Sequence, residues 1–497
     1  MDNKKSISLN MVSSLLLQFV EIISTLIIPR LIISTFGSEV NGLVSSLNQF
    51  LNYVSLLEGG VASVMMANLY RPLLEKDDAK LSSIYAAMQR FFKRISVILV
   101  IYAIILAIVY PFLINSSFSW GYISSLTVIL AFTLFIKYVF SMSNKLVLNS
   151  DNKIYITSFI QIIVVLLNTV LVYITIAVLP NIHIVKLVTG LALLIQPIGY
   201  SYYIKKYYHI DKSAEPDQKA IDQRWDGFAI NLAYFVHNNT DVVVLSLFST
   251  LSMVSVYSVY LMVFQGIKSI VGAITSSLIP TLGKKIAKGD AAELNSYFDL
   301  FEFFSISVSY LAYAYGWILL VPFVTLYTHR INDVNYIQPV FATILAAAEL
   351  VYSVRDPYLN LAYNANHFKS ISRYAYCEAI LNIIISIPAV IYFGLEGVAF
   401  GTLIAMLYRA VTALVYMKRN LLDRSYIIFI KYNVTYMLMT IATYLIVTKA
   451  VDYNINSIYD FIALAACAGI VLLFMYIMVS LVFHREIFVR IVHYLKR

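Results

Sequence analysis

The polar residues of this 497-residue sequence fall at helical spacing inside apolar runs. Asn231, Tyr234, Asn238 and Asp241 follow one another at steps of 3, 4 and 3, as do Gln265, Lys268, Gly272 and Thr275. Asn48, Asn52, Ser55 and Glu58 step by 4, 3 and 3; Glu349, Tyr352, Asp356 and Asn360 step by 3, 4 and 4, with Arg355 beside Asp356. Thr133, Lys137, Ser141 and Asn144 form a fifth stripe. Residues three and four apart share a helix face. A charge at the middle of a bilayer costs about 2.5–3.5 kcal/mol on insertion scales, so such groups face a wet cavity or a partner. The stripes predict a central hydrophilic cavity; the alternative is hydrogen bonding between helices with no cavity.

The cations Lys268 and Arg30 offer strong donors to an anionic ligand in low dielectric. The competing reading is a structural ion pair with Asp241 or Glu21. Arg30 stands near the outer end of its helix, where a long side chain can snorkel to the interface. Lys137, toward the cytoplasmic half, would meet a headgroup first. Arg355 reads as the partner of Asp356 or Glu349, and Arg409 is a further candidate. Asn231, Asn238 and Gln265 complete the substrate-binding candidates, and Glu21, Glu58 and Asp241 are the ion-coupling candidates. His237 lies off its stripe and reads as packing. No nucleotide-binding loop, His/Cys metal cluster or paired-carboxylate motif is present in the sequence. Neither an enzyme nor a cofactor-bearing protein is expected.

These stripes need membrane helices to carry them. Apolar residues make up 60% of the chain and charged residues 13%, against about 45–50% and 25% in soluble domains. The apolar runs reach about 20 residues, the length that crosses the hydrocarbon layer as a helix, and do not alternate as barrel strands do. We read spans at 9–35, 41–69, 87–113, 121–144, 154–179, 184–204, 227–249, 252–281, 296–325, 334–362, 372–393, 396–417, 428–449 and 458–483. The start, MDNKK before an apolar run, imitates a signal peptide, but the run is long, holds Glu21 and lacks a small-residue cleavage site. Both cysteines, Cys377 and Cys467, lie inside apolar runs and read as packing residues rather than a disulfide or metal pair.

The net charge of +9 is a topology signal rather than a sign of nucleic-acid binding. With the N-terminus inside, only Lys186, Arg330 and Lys449 fall outside, and Arg30, Lys137, Lys268, Arg355 and Arg409 fall within helices. Trp120 and Trp225 fall at expected interfaces. The longest connection, 205–226, sits midway. An internal repeat pairs residues 73–92 (LLEKDDAKLSSIYAAMQRFF) with 285–304 (KIAKGDAAELNSYFDLFEFF), aligning Lys76-Asp77-Asp78-Ala79 with Lys288-Gly289-Asp290-Ala291. Duplicated bundles are one transporter architecture, with the substrate site at their interface.

Four segments carry a resemblance to a known family: IIPRLIISTFGSEVNGLVSSL at 27–47, NNTDVVVLSLF at 238–248, IPTLGKKIAKGD at 279–290 and GLEGVAFGTLIA at 394–405. Together they resemble the Wzx-type oligosaccharide (polysaccharide repeat-unit) flippases of the multidrug/oligosaccharidyl-lipid/polysaccharide exporter superfamily. The resemblance implies an all-α membrane protein of about 14 transmembrane helices. Two six-helix bundles, 1–210 and 227–418, would be joined by a cytoplasmic linker at 211–226 and followed by C-terminal helices 13 and 14 in 419–497. It implies export of an undecaprenyl-pyrophosphate-linked oligosaccharide from the inner to the outer leaflet of the bacterial cytoplasmic membrane, with both termini cytoplasmic. The partners would be that lipid-linked oligosaccharide, membrane lipids and other polysaccharide-assembly proteins, and no nucleic acid. Resemblance to the lipid II flippase family is weaker: Arg30 and Lys268 match cavity cations on helices 1 and 8, but helix 2 carries Glu58 and no interior cation. Two alternatives stay open. One is a multidrug or cation antiporter of the same superfamily, using Glu21, Glu58 and Asp241. The other is a membrane glycosyltransferase or polysaccharide polymerase, against which the short outer loops 114–120 and 180–183 argue.

Overall fold

The computed structural model describes residues 3–58, 61–211, 213–217, 228–450, 455 and 457–495, and the side chains of 3–5, 7, 61, 63, 228–234, 236–238 and 492–495 lie outside that description. Nineteen helices are described, with no strand among the described residues. They are α1 (Asn3–Phe36), α2 (Ser38–Asn52), α3 (Val61–Glu75), α4 (Asp78–Leu113), α5 (Trp120–Ile136), α6 (Met142–Ser150), α7 (Ile154–Val178), α8 (Ile182–Ala192), α9 (Ile195–Tyr207), α10 (Phe228–Phe248), α11 (Leu251–Ser276), α12 (Ile279–Lys288), α13 (Ala291–Tyr327), α14 (Pro339–Val354), α15 (Asp356–Asn364), α16 (Phe368–Asn420), α17 (Tyr426–Ala450), α18 (Ile458–Phe483) and α19 (Arg485–Leu495). A 3₁₀ turn, Tyr53–Glu58, follows α2, and a π-helical turn, Lys137–Ser141, joins α5 to α6.

Among the described residues, ten helical stretches are long and apolar enough to cross a membrane. In α18 only 17% of the most apolar window is buried by protein. Leu473, Phe474, Ile477 and Met478 on it are exposed, and lipid must cover such a face. The chain is a multi-pass membrane protein. Several expected spans are bent rather than straight. Residues 41–69 divide into α2, the 3₁₀ turn and α3, and 334–362 divides at Arg355 ahead of Pro357. A proline lacks an N–H and crowds the preceding turn, which accounts for that break. Cys377 is exposed on α16 rather than packed, and Trp225 lies outside the described residues.

The chain forms two compact units: Met1–Phe235 with Thr250–Ser255, and Val236–Ser249 with Val256–Arg497. In the first, α1 lies along α7, where the hydroxyls of Ser24 and Thr169 meet at 2.8 Å. Asn10 Nδ2 donates to the Asn152 carbonyl (2.9 Å) while its Oδ1 accepts from the Tyr155 N–H (2.8 Å), tying α1 to the turn before α7. The Gly37-Ser38-Glu39 stretch within the 27–47 segment has a physical role. Gly37 takes φ 85° between α1 and α2, and Glu39 accepts from the Ser117 backbone N–H (2.9 Å) and hydroxyl (2.8 Å).

The two paired segments share a capping geometry, one residue out of the expected register. Asp77 caps α4, accepting from Lys80 N at 2.9 Å, and Asp290 caps α13, accepting from Ala292 N (2.9 Å) and Glu293 N (3.0 Å). The residue before each cap is left-handed: Lys76 at φ 53° and Gly289 at φ 74°. Capping geometry therefore matches Lys76 with Gly289 and Asp77 with Asp290. Helices of 36 and 37 residues follow.

In the second unit α16 turns sharply at Gly394 (φ 55°, ψ −126°), a backbone state that only glycine adopts without strain. The two arms pack closely because Gly397 and Gly401 carry no side chain. A Cβ on Gly401 would lie 2.9 Å from the Ser386 backbone N and collide with its hydroxyl. Close approach brings Asn382 and Thr402 into contact, Nδ2 donating to Oγ1 at 3.0 Å. Gly401→Ala should therefore destabilise the purified protein by about 1–3 kcal/mol, the usual cost of overpacking. Gly266→Ala, on a site with open space around it, should leave the thermal unfolding midpoint in detergent unchanged.

Candidate functional site

The first unit holds a polar cavity of ≈ 580 Å³. The π-helical turn positions it. Such a turn inserts an extra residue into a helix and is frequent at functional sites. Thr133, Lys137 and Ser141 line the cavity as their spacing predicts, but the extra residue rotates the face beyond them. Asn144 points away, accepting from the Tyr85 hydroxyl (2.6 Å) and donating to Ser201 Oγ (3.0 Å). Lys145 takes its place on the wall. Sequence reading missed Lys145 because it placed this lysine at the cytoplasmic helix end.

Opposite the lysines, Glu21 accepts from Gln161 Nε2 at 3.5 Å, and Gln196 donates to Gln161. Gln196 stands at the start of α9 beside Pro197, where α8 and α9 part. Glu58 ends the 3₁₀ turn 4.0 Å from Lys137 Nζ. Both Glu21 and Glu58 act electrostatically on Lys145. This quartet of two acids and two lysines is loosely held, and the Lys137 side chain is 45% exposed. Arg30, half-buried on α1, is not among the residues lining this cavity.

The second unit carries a tighter network. Arg355 Nη1 donates to Glu378 Oε1 at 2.9 Å, and Arg409 Nε lies 3.4 Å from Glu378 Oε2. All three side chains are no more than 7% exposed. Arg409 also donates to the Ile371 carbonyl at 3.0 Å. The hydrogen-bonded carboxylate of Arg355 is therefore Glu378, not Asp356 or Glu349 as the sequence suggests. Glu378 lies on α16, and spacing along α14 cannot reveal which residue a neighbouring helix presents. Lys268 Nζ sits 3.4 Å from the centroid of the Tyr352 ring, and the Arg355 guanidinium lies 4.4 Å from the same ring. Each cation is attracted to the ring face, while the two positive charges repel each other. Gln265, one turn before Lys268, is exposed.

Asp241 is buried at the end of this network. It is hydrogen-bonded to hydroxyls rather than to Lys268: Tyr257 OH donates at 2.8 Å and Thr402 Oγ1 at 2.7 Å. Two further buried oxygens, Asn382 Oδ1 and Ser386 Oγ, have no hydrogen-bond partner. Tyr257, Asn382 and Thr402 gave no signal in the sequence because each is an ordinary polar residue in an apolar run. The side chains of Asn231, Tyr234, His237 and Asn238 lie outside the described residues. A separate buried cluster in the second unit, also unanticipated, joins Arg424 to Asp299 and Glu302, with Tyr358 OH donating to Glu302.

The two charge clusters should respond differently to neutralisation. Removing one partner of a buried pair costs about 3–5 kcal/mol, whereas an exposed pair is worth about 0–1 kcal/mol. Glu378→Gln should sharply lower the unfolding midpoint and the monodisperse yield in detergent, and Glu58→Gln should change neither.

No protein-family model and no curated protein matches the sequence. Solved structures do match in fold. The structure titled lipid II flippase MurJ, inward closed conformation, superposes with a TM-score of 0.72 at 17% identity, covering 97% of this chain and 99% of that one. An inward-facing multidrug-resistance MATE transporter of the MOP superfamily gives 0.63 at 13% identity, covering 79% and 93%. A MOP transporter from Pyrococcus furiosus, titled for the reverse polarity of its binding pocket, gives 0.54 at 13% identity, covering 86% and 98%. These neighbours are flippases and transporters rather than enzymes, and the chain has the fold they share.

Proposed function

We propose that this protein moves an undecaprenyl-pyrophosphate-linked oligosaccharide from the inner to the outer leaflet of the bacterial cytoplasmic membrane. It would do so by alternating access, as one step of cell-surface polysaccharide synthesis. The proposal includes fourteen spans, both termini in the cytoplasm, and membership of the Wzx-type group. The observation that carries it is Lys268, a cation within a membrane helix whose ammonium rests on the Tyr352 ring beside Arg355. Dragging phosphates and sugar hydroxyls through hydrocarbon without protein is prohibitive. A fixed ammonium in low dielectric lowers that barrier.

In this reading each candidate takes a part. Lys268 is the contact for pyrophosphate. Arg355 and Arg409 are engaged by Glu378, and displacing that carboxylate would strand buried charge. They are positioning residues that fix the Tyr352 ring under Lys268. Lys137, with Lys145, receives the polar headgroup in the first unit, with Arg30, Gln265, Asn231 and Asn238 as further contacts. Asp241 is the ion-coupling residue. The hydroxyls on Asp241, with Asn382 Oδ1 and Ser386 Oγ buried and lacking partners, suit a hard cation. An inside-negative potential adds about 2.3 kcal/mol per charge per 100 mV to outward movement of an anion.

A second reading, a multidrug or cation antiporter, is favoured by the buried acids Asp241 and Glu349. Drug-resistance profiling on overexpression separates the two, because only the antiporter confers resistance.

In cells that depend on this protein, Lys268→Ala should leave its amount in the membrane unchanged. The lipid-linked oligosaccharide should stay inaccessible to a probe of the outer leaflet. Full delivery by that variant would remove the role of Lys268. Asp241→Asn should abolish the response of delivery to an imposed cation gradient.

A further inference from the structure

Glu349 has no part in the contacts above, yet it lies between them. Two pairs fix the register of α11 against α14. Tyr257 meets Phe341 with ring centroids 5.8 Å apart, and Lys268 meets Tyr352 at 3.4 Å. Both pairs are separated by the same step along each helix, so α11 and α14 run parallel, with the two levels about 16 Å apart at 1.5 Å per residue. Asp241 belongs to the lower level through its bond from the Tyr257 hydroxyl. Glu349 falls between the levels, one turn below Tyr352 and on the same face. It is nine-tenths buried, and its Oε2 has no hydrogen-bond partner. Its charge acts on Asp241 and on Lys268.

We propose that Glu349 couples the two sites, so that a monovalent cation held at Asp241 lets the Glu349 carboxylate turn away from Lys268 and tightens diphosphate binding there. This rests on the reading of Lys268 as the anion contact and Asp241 as the cation contact. With the cation site empty, Glu349 faces a second carboxylate at Asp241 and is balanced by the Lys268 ammonium. A bound monovalent cation cancels the Asp241 charge and removes that repulsion. The Glu349 carboxylate, no longer repelled from that side, turns toward the cation, and Lys268 keeps more of its field for an incoming anion. Such coupling is reciprocal by thermodynamic necessity.

The test uses the full-length protein in detergent, with inorganic pyrophosphate titrated by calorimetry in NaCl and in choline chloride at equal ionic strength. The wild type should bind pyrophosphate about 5–150-fold more tightly in Na⁺, the usual range of coupling between sites. Glu349→Gln should still bind each ligand, with the Na⁺ effect reduced to less than about twofold. Glu349→Asp, which keeps the charge, should retain it. A full Na⁺ effect in Glu349→Gln overturns the coupling. So does a wild type that binds both ligands independently, and that result leaves the transport reading standing. Failure of the wild type to bind either ligand overturns that reading and the coupling together. A measurement without any variant guards against misfolding: pyrophosphate must tighten Na⁺ binding to the wild type by the same factor, and its failure to do so overturns the proposal.

Discussion

A charge taken out of water into a membrane interior must be answered by groups the protein itself supplies, and this requirement organises the second unit. Glu378 answers two arginines at once, from a helix different from the one that carries Arg355. Asp241 is answered by two hydroxyl donors. Lys268 is answered by an aromatic face. The three solutions differ in strength. A carboxylate between guanidiniums is costly to separate, whereas a hydroxyl or a ring can exchange for an incoming ion or phosphate. Exchange is what a transport site needs, so Asp241 and Lys268 are better placed for it than Arg355 or Arg409.

Breaks in the helices set where these groups stand. Glu58 ends a 3₁₀ turn, Lys137 opens the π-helical turn, Gln196 follows the α8–α9 break, and Arg355 occupies the joint between α14 and α15. Irregular backbone at membrane depth is tolerated only where protein or a wet cavity satisfies it. Helix interruptions in transporters accordingly mark binding positions. The Gly394 bend serves the same end differently. It folds α16 back so closely that Asn382 and Thr402 meet beside Asp241.

Apolar run length made the helices legible, because a bilayer demands that length irrespective of tertiary detail. The caps at Asp77 and Asp290 were visible as a repeat, but letter matching slid it by one residue. The feature the two segments share is a left-handed residue followed by a cap, and lysine and glycine can both fill the first position. The charged candidates were legible as members of stripes, since charge is rare in these runs. Their partners were not. Glu378, Tyr257, Thr402 and Asn382 are brought in by packing between helices, which periodicity along one helix does not encode. The π-helical turn defeated even the within-helix reading, exchanging Asn144 for Lys145 on the cavity wall.

The two units thus hold their charges at different depths. In the first, Lys137 is 45% exposed and meets Glu58 only at 4.0 Å, so it can accept and lose a headgroup at little cost. In the second, Arg355, Arg409 and Glu378 are buried and fixed by short contacts, where each interaction is stronger. Under the proposed function, an anion would meet Lys137 loosely and be held more firmly at Lys268. Firm holding is useful only if something releases it. Glu349, with one oxygen left without a hydrogen bond between the acid that would hold a cation and the lysine that would hold a phosphate, supplies a physical route by which departure of one ion weakens the grip on the other.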